Sequence, residues 1–152
     1  RDEIKASLTV YPGVLTVLIK HSVHTSSRQC FVDVTAQIRQ AVRESRLKNA
    51  HILVSVPHTT AALTVNENAD PDVVHDLLHR LEALAPTSVN ADRHGEGNSH
   101  AHLKSSLLGA CHSFIVHEGD LVLGTWQGIY LCEFDGPRTR NLLISILERG
   151  AE

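Results

Sequence analysis

Histidine is unusually frequent in this chain of 152 residues, with 11 copies. Three of them, His94, His100 and His102, lie within nine residues on a polar, glycine-containing segment. Neutral imidazole is a common ligand of zinc-like metals, and catalytic zinc sites typically combine three protein ligands with water. The segment therefore either supplies part of a metal site or is a solvated loop, and spacing alone does not decide between these alternatives.

A second pair of histidines, His75 and His79, lies one helical turn apart on a predicted amphipathic helix. At this spacing both rings lie on one side of the helix and could share a ligand. The string HDLLH resembles the zincin motif, but Asp76 stands where that motif has its glutamate base. A solvated pair on the flank of the helix is the alternative.

A third polar group contains His58, Thr59 and Thr60 at the end of a predicted strand, followed by Asn66 and Glu67 after the next one. Polar side chains where strands give way to loops are well placed for binding or for general acid–base chemistry. Turn capping would account for part of this group.

The only tryptophan, Trp126, lies between two glycines in the segment 124–128, between two predicted strands. Glycines at such a point permit a bulge or the close approach of a ligand, so a structural hairpin and a ligand contact are both open. The chain has no phosphate-binding loop, dinucleotide fingerprint, nucleophile-elbow or paired Cys-x-x-Cys motif.

Apolar periodicity and turn residues predict the elements that must position these groups. Thr35 is predicted to cap a helix that ends near Asn49, and Asp70 with Pro71 is a strong start signal for a second helix that ends before Pro86. Residues 87–100 form a loop, and a short helix over 101–108 follows. Strands are predicted over 4–10, 14–19, 30–34, 51–56, 61–65, 113–116, 121–126, 129–134 and 139–147, with turns at 12–13 and 127–128.

These elements predict an α+β fold with mainly antiparallel β-sheets, about three helices and a single domain over residues 1–152. A net charge of −3 and only six aromatic residues disfavour nucleic acid as a partner. No apolar run approaches the roughly 20 residues of a membrane helix, and the first residues have no signal-peptide pattern. Three widely spaced cysteines in apolar runs indicate reduced, buried thiols, so a cytoplasmic protein is expected.

Three stretches together resemble the YjbQ family, also called the secondary thiamine-phosphate synthase family. They are HTTAALTVNENADPDVVHDL (58–77), RHGEGNSHAHLKSSLLG (93–109) and GTWQGIYLCEFDGPR (124–138). The resemblance extends over nearly the whole chain. It implies a compact α+β fold that assembles as a homotrimer, with a polar pocket near the subunit contacts and a divalent metal.

The resemblance also suggests roles for individual residues. His58, Glu67 and Asp76 are the catalytic candidates, with His58 or Glu67 as general acid or base, and His75, His94 and His102 are the expected metal ligands. His79 and His100 match no position of the family pattern and are set aside. The expected substrate contacts are Thr59, Thr60, Asn66, Gln127 and Arg138, the last as a clamp for an anion because its guanidinium fits phosphate oxygens.

The activity attached to the family is a weak, secondary formation of thiamine phosphate, in which a pyrimidine pyrophosphate is joined to a thiazole phosphate. Magnesium, which would suit a diphosphate, prefers oxygen ligands, whereas the imidazoles of this chain favour zinc. A metal-dependent hydrolase or lyase acting on another small phosphorylated or anionic metabolite is therefore an equal expectation. A non-catalytic protein that binds such a metabolite in the same pocket is the alternative.

Overall fold

The computed structural model describes residues 5–11 and 14–149, and within these ranges the chain forms nine strands and three helices. Every strand pair is antiparallel, which confirms the predicted α+β class. The elements are β1 (Lys5–Tyr11), β2 (Val14–His24), β3 (Cys30–Asp33), α1 (Thr35–Ser45), β4 (Ala50–Ser55), β5 (Ala61–Glu67), α2 (Pro71–Leu84), α3 (Ser99–Leu108), β6 (Cys111–His117), β7 (Asp120–Leu121), β8 (Gln127–Glu133) and β9 (Thr139–Arg149).

Two sheets share the main core. The larger has six strands in the order β1-β2-β9-β4-β6-β7, and the smaller has the order β3-β8-β5. The core joins residues of α1, the large sheet and the small sheet, such as Ile38, Ile144 and Leu131, each 0 or 1% exposed. On β4 this core takes alternate residues, because successive side chains of a strand point to opposite faces. Ile52 and Val54 are buried, while His51 and Leu53 face outward.

Strand β8 is buried along almost its whole length, because the small sheet has a second apolar cluster on its other face. There Tyr130 and Cys132 of β8 pack with Leu81 of α2 and Ala101 of α3. A strand covered on both faces reads as a continuous apolar run, as IYLC does here. The charged Glu133 at the end of this run is also fully buried, so it requires partners.

The start of α2 is confirmed. The Asp70 carboxylate accepts a hydrogen bond from the Asp72 N–H, and Pro71 is the first helical residue. The prediction that Thr35 caps α1 is wrong, because Thr35 is already helical and the Asp33 carboxylate accepts its N–H instead. Helix α1 also ends at Ser45 rather than near Asn49, because the next residue, Arg46, adopts a left-handed conformation with φ 60°.

Three further predictions are corrected. Helix α3 begins at Ser99 rather than Ala101, and the strand expected over 121–126 is limited to β7. The turn expected at 127–128 is instead the start of β8, where a Cβ on Gly128 would lie 2.7 Å from the Asn68 side chain. The residues of the predicted turn at 12–13 lie outside the described ranges.

The three cysteines are free thiols, but only Cys132 is buried, and Cys111 is exposed. Exposure of Cys111 follows from its place on the outer face of β6, where alternate residues face away from the core. Within the described part of the chain, no helix has both the length and the hydropathy to cross a membrane.

Candidate functional site

A cavity of about 580 Å³ opens at one end of the small sheet, and we call it the His58 groove. The end of β4, the segment between β4 and β5, the start of α3 and the β8–β9 connection form its walls. It is lined by Ser55, Val56, Pro57, His58, Thr59, Thr60, Glu96, Asn98, His102, Ala110, Asp135, Arg138 and Arg140. Five of the predicted site residues, His58, Thr59, Thr60, His102 and Arg138, therefore meet in one place.

A buried ion pair forms the floor of the groove. Arg140 donates from its terminal nitrogen and from Nε to the two carboxylate oxygens of Glu133, at 2.5 and 2.7 Å. Glu133 also accepts the N–H groups of Phe134 and Asp135 and the hydroxyl of Thr25, at 3.0, 2.8 and 3.1 Å. Because both charged side chains are at most 4% exposed, these bonds replace the water that each charge has lost.

Thr60 belongs to this scaffold. Its hydroxyl accepts a 2.8 Å bond from Arg140, and its carbonyl accepts the Phe134 N–H. Thr59 is exposed, and its carbonyl accepts a hydrogen bond from the Ser105 hydroxyl at 2.6 Å. Of the two threonines expected to contact substrate, Thr59 thus has the accessible side chain, whereas Thr60 holds Arg140 in place.

His58 is held in one tautomer. Its Nε2 accepts the backbone N–H of Asn141 at 2.8 Å, so that nitrogen carries a lone pair and the hydrogen of the neutral ring lies on Nδ1. Burial lowers the pKa of His58 below 6.5, and the Arg140 charge adds to this effect. Protonation of Nε2 would also break the bond to Asn141. His58 is therefore built as a neutral hydrogen-bond donor through Nδ1 rather than as a base.

His102 is the imidazole that retains an available nitrogen lone pair in the groove. Its ring packs edge-on against that of His94, with centroids 5.3 Å apart and planes at 80°. The His94 Nε2 lies 3.8 Å from a carboxylate oxygen of Glu96, a residue that also lines the groove. Among the described residues, none accepts or donates a hydrogen bond at the His102 ring, so its two nitrogens can serve a ligand.

Arg138 supplies positive charge at the mouth of the groove. One terminal nitrogen donates to Asp135 at 2.7 Å, and the side chain is 49% exposed. The same Asp135 oxygen accepts from the Asn98 amide at 3.0 Å, which ties the β8–β9 connection to the start of α3. Because a guanidinium has five N–H donors, Arg138 keeps several for an anion.

The protein is expected to lose stability as the pH falls below 6.5, because two of its histidines have a lowered pKa in the folded state. One is His58; the other is His100, whose pKa is lowered by burial and further by the charges of Lys104 and Arg28. Below 6.5 the unfolded chain binds protons that folded His58 and His100 do not, so stability is complete above that pH and is lost on acidification. Each histidine contributes a slope of at most about 1.4 kcal/mol per pH unit. Urea unfolding between pH 7.5 and 5.5 measures this slope, which should decrease in His58→Asn and stay unchanged in His79→Asn.

Three other predicted residues lie at the opposite end of the small sheet. Glu67 of β5 pairs with Gln127 of β8. Glu67 lies six residues along β5 from Ala61, the end of the strand near the groove, which corresponds to roughly 20 Å. The side-chain oxygen of Gln127 accepts the Gly124 N–H at 2.8 Å, and that of Asn66 accepts the Glu67 N–H at 2.8 Å. Within one chain Glu67 therefore does not join His58, and Asn66 and Gln127 hold local turns.

His75 and Asp76 lie on α2, outside the groove. Their side chains are 79 and 74% exposed and contact each other at 3.2 Å. His94 and His102 lie together, but the third expected ligand, His75, is not among their contacts. Within the described residues, no group of three or more His, Cys, Asp or Glu side chains is arranged to hold a metal ion. The expected three-imidazole set therefore does not fit a metal within one chain.

The sequence analysis missed Glu133, Arg140, Asp135, Glu96 and Asn98. One signal was present for Glu133, since a carboxylate at the end of a fully apolar strand must find a partner if it is buried. The partner, Arg140, comes seven residues later, at the start of the next strand. Glu96 and Asn98 carried no comparable signal, because they stand in a polar loop.

The chain is similar to proteins of one known family. The family model described as UPF0047 protein YjbQ-like matches residues 5–149. The UPF0047 protein YugU of Bacillus subtilis is 47% identical over 125 residues, which are 82% of this chain and 95% of that protein. The UPF0047 protein MJ1081 of Methanocaldococcus jannaschii is 46% identical over 134 residues, which are 88% of this chain and 96% of that protein.

Solved structures give the same result. An uncharacterized conserved protein of the yjbq/upf0047 family from Clostridium acetobutylicum is 48% identical, with a TM-score of 0.81 over 84% of this chain and 98% of that one. A YbjQ-like protein of unknown function from Sulfolobus solfataricus is 37% identical, with a TM-score of 0.84 over 91% of this chain and 99% of that one. The family model and these identities establish that the chain belongs to the UPF0047, or YjbQ-like, family.

Proposed function

We propose that this protein is an enzyme that acts on a small phosphorylated or anionic metabolite in the His58 groove. One observation carries the proposal. A neutral donor (His58 Nδ1–H), a partly exposed guanidinium (Arg138) and an imidazole without a hydrogen-bond partner among the described residues (His102) line the same cavity. Donors and a cation suit phosphate oxygens, and an imidazole whose lone pair is not committed within the protein can exchange a proton with a substrate.

Each group has a distinct role in this proposal. Arg138 binds the phosphate through its free N–H groups, and His58 donates one further hydrogen bond from Nδ1. His102 exchanges a proton with the reacting group, because its lone pair is not committed within the protein. Arg140 and Glu133 touch no substrate in this scheme and hold the walls of the groove in place. General acid or base action thus passes to His102 from His58 or Glu67, to which the family resemblance had assigned it.

Formation of thiamine phosphate is one reaction that these groups could perform. The nitrogen of the thiazole phosphate attacks the methylene carbon of the pyrimidine pyrophosphate, so a carbon–nitrogen bond forms and the carbon–oxygen bond to diphosphate breaks. Charge then develops on the departing diphosphate, where Arg138 would stabilise it and protonated His102 could donate its proton. The open groove is equally suited to hydrolysis or elimination on another phosphorylated metabolite.

A divalent metal, with zinc preferred and magnesium as the second choice, stays a prediction. His94 and His102 would supply two imidazoles, but the remaining ligand would have to come from outside this group. Metal analysis of protein purified without a histidine tag tests the prediction. Zinc near one per chain that is lost in His94→Ala would support it, whereas metal-free protein with unchanged folding and activity would contradict it.

Binding of the metabolite without turnover is the second candidate. The single tautomer of His58 favours it, because a fixed donor serves binding and not proton abstraction. In this case a ligand raises the melting temperature by mass action, but no product accumulates when protein and ligand are mixed at equal concentration.

Arg138→Ala is expected to weaken the binding of inorganic pyrophosphate roughly 10- to 100-fold, since charge-assisted hydrogen bonds contribute about 1.5 to 3 kcal/mol. Isothermal titration calorimetry at low salt measures the change. Arg93→Ala is the control, because this exposed arginine lies in the loop between α2 and α3 and does not line the groove. Equal affinities of wild type and Arg138→Ala would contradict the anion-binding role.

We also infer assembly into the homotrimer that the family resemblance implies. The outer face of the large sheet exposes Leu18, Leu53, Ile115 and Leu147, each 41 to 55% exposed and on neighbouring strands. A face of this kind marks an interaction site in a folded protein. Light scattering after size exclusion should give three chain masses for wild type and for Leu84→Asp on α2, and a lower mass for Leu53→Asp. A monomeric wild type would contradict the assembly.

A further inference from the structure

The His58 groove continues into a second cavity, of about 430 Å³, which we call the hydroxyl lobe. The residues that line both cavities are His58, Thr59, His102 and Ala110. Ser105 and Ser106 line the lobe but not the groove. Because the two cavities share both imidazoles of the proposed site, they are two ends of one site, and one ligand can occupy both.

Helix α3 runs past both cavities. Its N-cap, Asn98, lines the groove, and Ser106, eight residues later, lines the lobe, which corresponds to roughly 12 Å along the helix axis. Ser105 and Ser106 follow His102 by three and four residues, so these three side chains share one face of the helix. His102 therefore lies between the end of the site that contains Arg138 and the end that contains the two serines.

The serine hydroxyls of the lobe present lone pairs. The Ser106 hydroxyl donates to the carbonyl of His102 at 2.8 Å, and the Ser105 hydroxyl donates to the carbonyl of Thr59 at 2.6 Å. A hydroxyl has one hydrogen, so both serine oxygens are left to accept from a ligand. The exposed Thr59 hydroxyl has no partner among the described residues, so it can donate or accept.

Charged side chains distinguish the two ends of the site. Arg138 and Arg140 line the groove, whereas no Asp, Glu, Lys or Arg side chain lines the lobe. An anion in the lobe would face the lone pairs of Ser105 and Ser106 without an arginine to offset them. Uncharged groups that donate hydrogen bonds fit this end, and alcohol hydroxyls fit it best, because they can also accept from Thr59.

We propose that the substrate is a phosphorylated polyol or open-chain sugar, with its phosphate at Arg138 and the hydroxyls of its carbon chain in the lobe. This inference rests on the proposed function, because Arg138 must hold the phosphate. A phosphate with a chain of about five carbons is comparable in length to the stretch of α3 that lines the two cavities. The chain then passes His102, and its hydroxyls donate to the oxygens of Ser105 and Ser106.

Ribitol 5-phosphate and pentyl phosphate are matched probes, because both have a phosphate on a five-carbon chain and only the first has further hydroxyls. In isothermal titration calorimetry at low salt, ribitol 5-phosphate is expected to bind roughly tenfold more tightly. Ser106→Ala and Thr59→Val, both at exposed positions, should each weaken ribitol 5-phosphate roughly three- to tenfold and leave pentyl phosphate unchanged. Ser99→Ala is the control, because Ser99 lies on the same helix and lines neither cavity.

The outcomes separate this inference from the proposed function. Equal affinities for the two probes, with both weakened by Arg138→Ala, would overturn the hydroxyl lobe and leave the anion site in place. A preference for ribitol 5-phosphate that neither Ser106→Ala nor Thr59→Val reduces would also overturn the lobe. Absence of binding for both phosphates would contradict the proposed function itself, and this inference with it.

Discussion

Glu133→Gln is expected to lower the free energy of unfolding by about 3 to 5 kcal/mol, the largest effect on stability that we foresee for one substitution. The change leaves the Arg140 guanidinium, 4% exposed, opposite a neutral amide in the protein interior. It also replaces one acceptor oxygen by an NH₂ group that faces the donors of Thr25, Phe134 and Asp135. Urea unfolding followed by circular dichroism, at a pH near 7.5, measures the loss.

Glu96→Gln is the matched control, because Glu96 is an exposed carboxylate at the same groove, where an ion pair contributes about 0 to 1 kcal/mol. Arg140→Lys separates charge from geometry. It keeps the positive charge but loses the two parallel bonds to Glu133, so an intermediate loss is expected. A Glu133→Gln variant within about 1 kcal/mol of wild type would show that water reaches the pair and that the buried network is not what holds the β8–β9 connection.

His102→Gln is expected to slow turnover roughly 10²- to 10⁴-fold, the usual contribution of a positioned acid or base. Binding of pyrophosphate should change little, because Arg138 and His58 still supply their donors. The assay follows thiamine phosphate formed from the pyrimidine pyrophosphate and the thiazole phosphate, in parallel with calorimetric binding of pyrophosphate. Added imidazole should restore part of the activity of His102→Ala, which a merely structural role would not allow.

His79→Gln is the control for this experiment, since His79 is exposed on α2 and lines no part of the groove. Unchanged turnover in His102→Gln, or an equal loss of binding and turnover, would contradict the acid–base role. A wild-type protein that binds pyrophosphate and the two substrates tightly but forms no product would favour the binding protein over the synthase.

The secondary-structure elements differ in how well the sequence predicts them. The start of α2 could be predicted, because a capping carboxylate followed by proline is a local signal. The start of α1 could not, because the cap comes from Asp33, two residues before Thr35, and the Thr35 hydroxyl donates to Asp33 and accepts the Ile129 N–H of β8. The short β7 was over-predicted as a long strand, since an apolar run does not show whether a neighbouring strand is available to pair with it.

The candidate site shows the same division. His58, His102 and Arg138 were identified from their types and their place in the three motifs, and the fold does bring them to one cavity. The sequence could not show that the Asn141 N–H commits one nitrogen of His58, because that bond joins residues 83 positions apart. Nor could it show that the groove forms beside His58, just before the start of β5, while Glu67 lies at the far end of β5.

The sequence by itself determined the family, the α+β class, the periodic faces of the strands and α2, and the residue types available for chemistry. These properties follow from the local order of residues along the chain, which contains the apolar periodicity, the helix caps and the family motifs. Tertiary structure alone decided which histidine is a donor and which can accept a proton, that Glu133 needs Arg140, and that the Nδ1 atom of His100 has no hydrogen-bond partner among the described residues. Each of these depends on contacts between residues that are distant in the chain, and on whether burial has removed the water that would otherwise satisfy them.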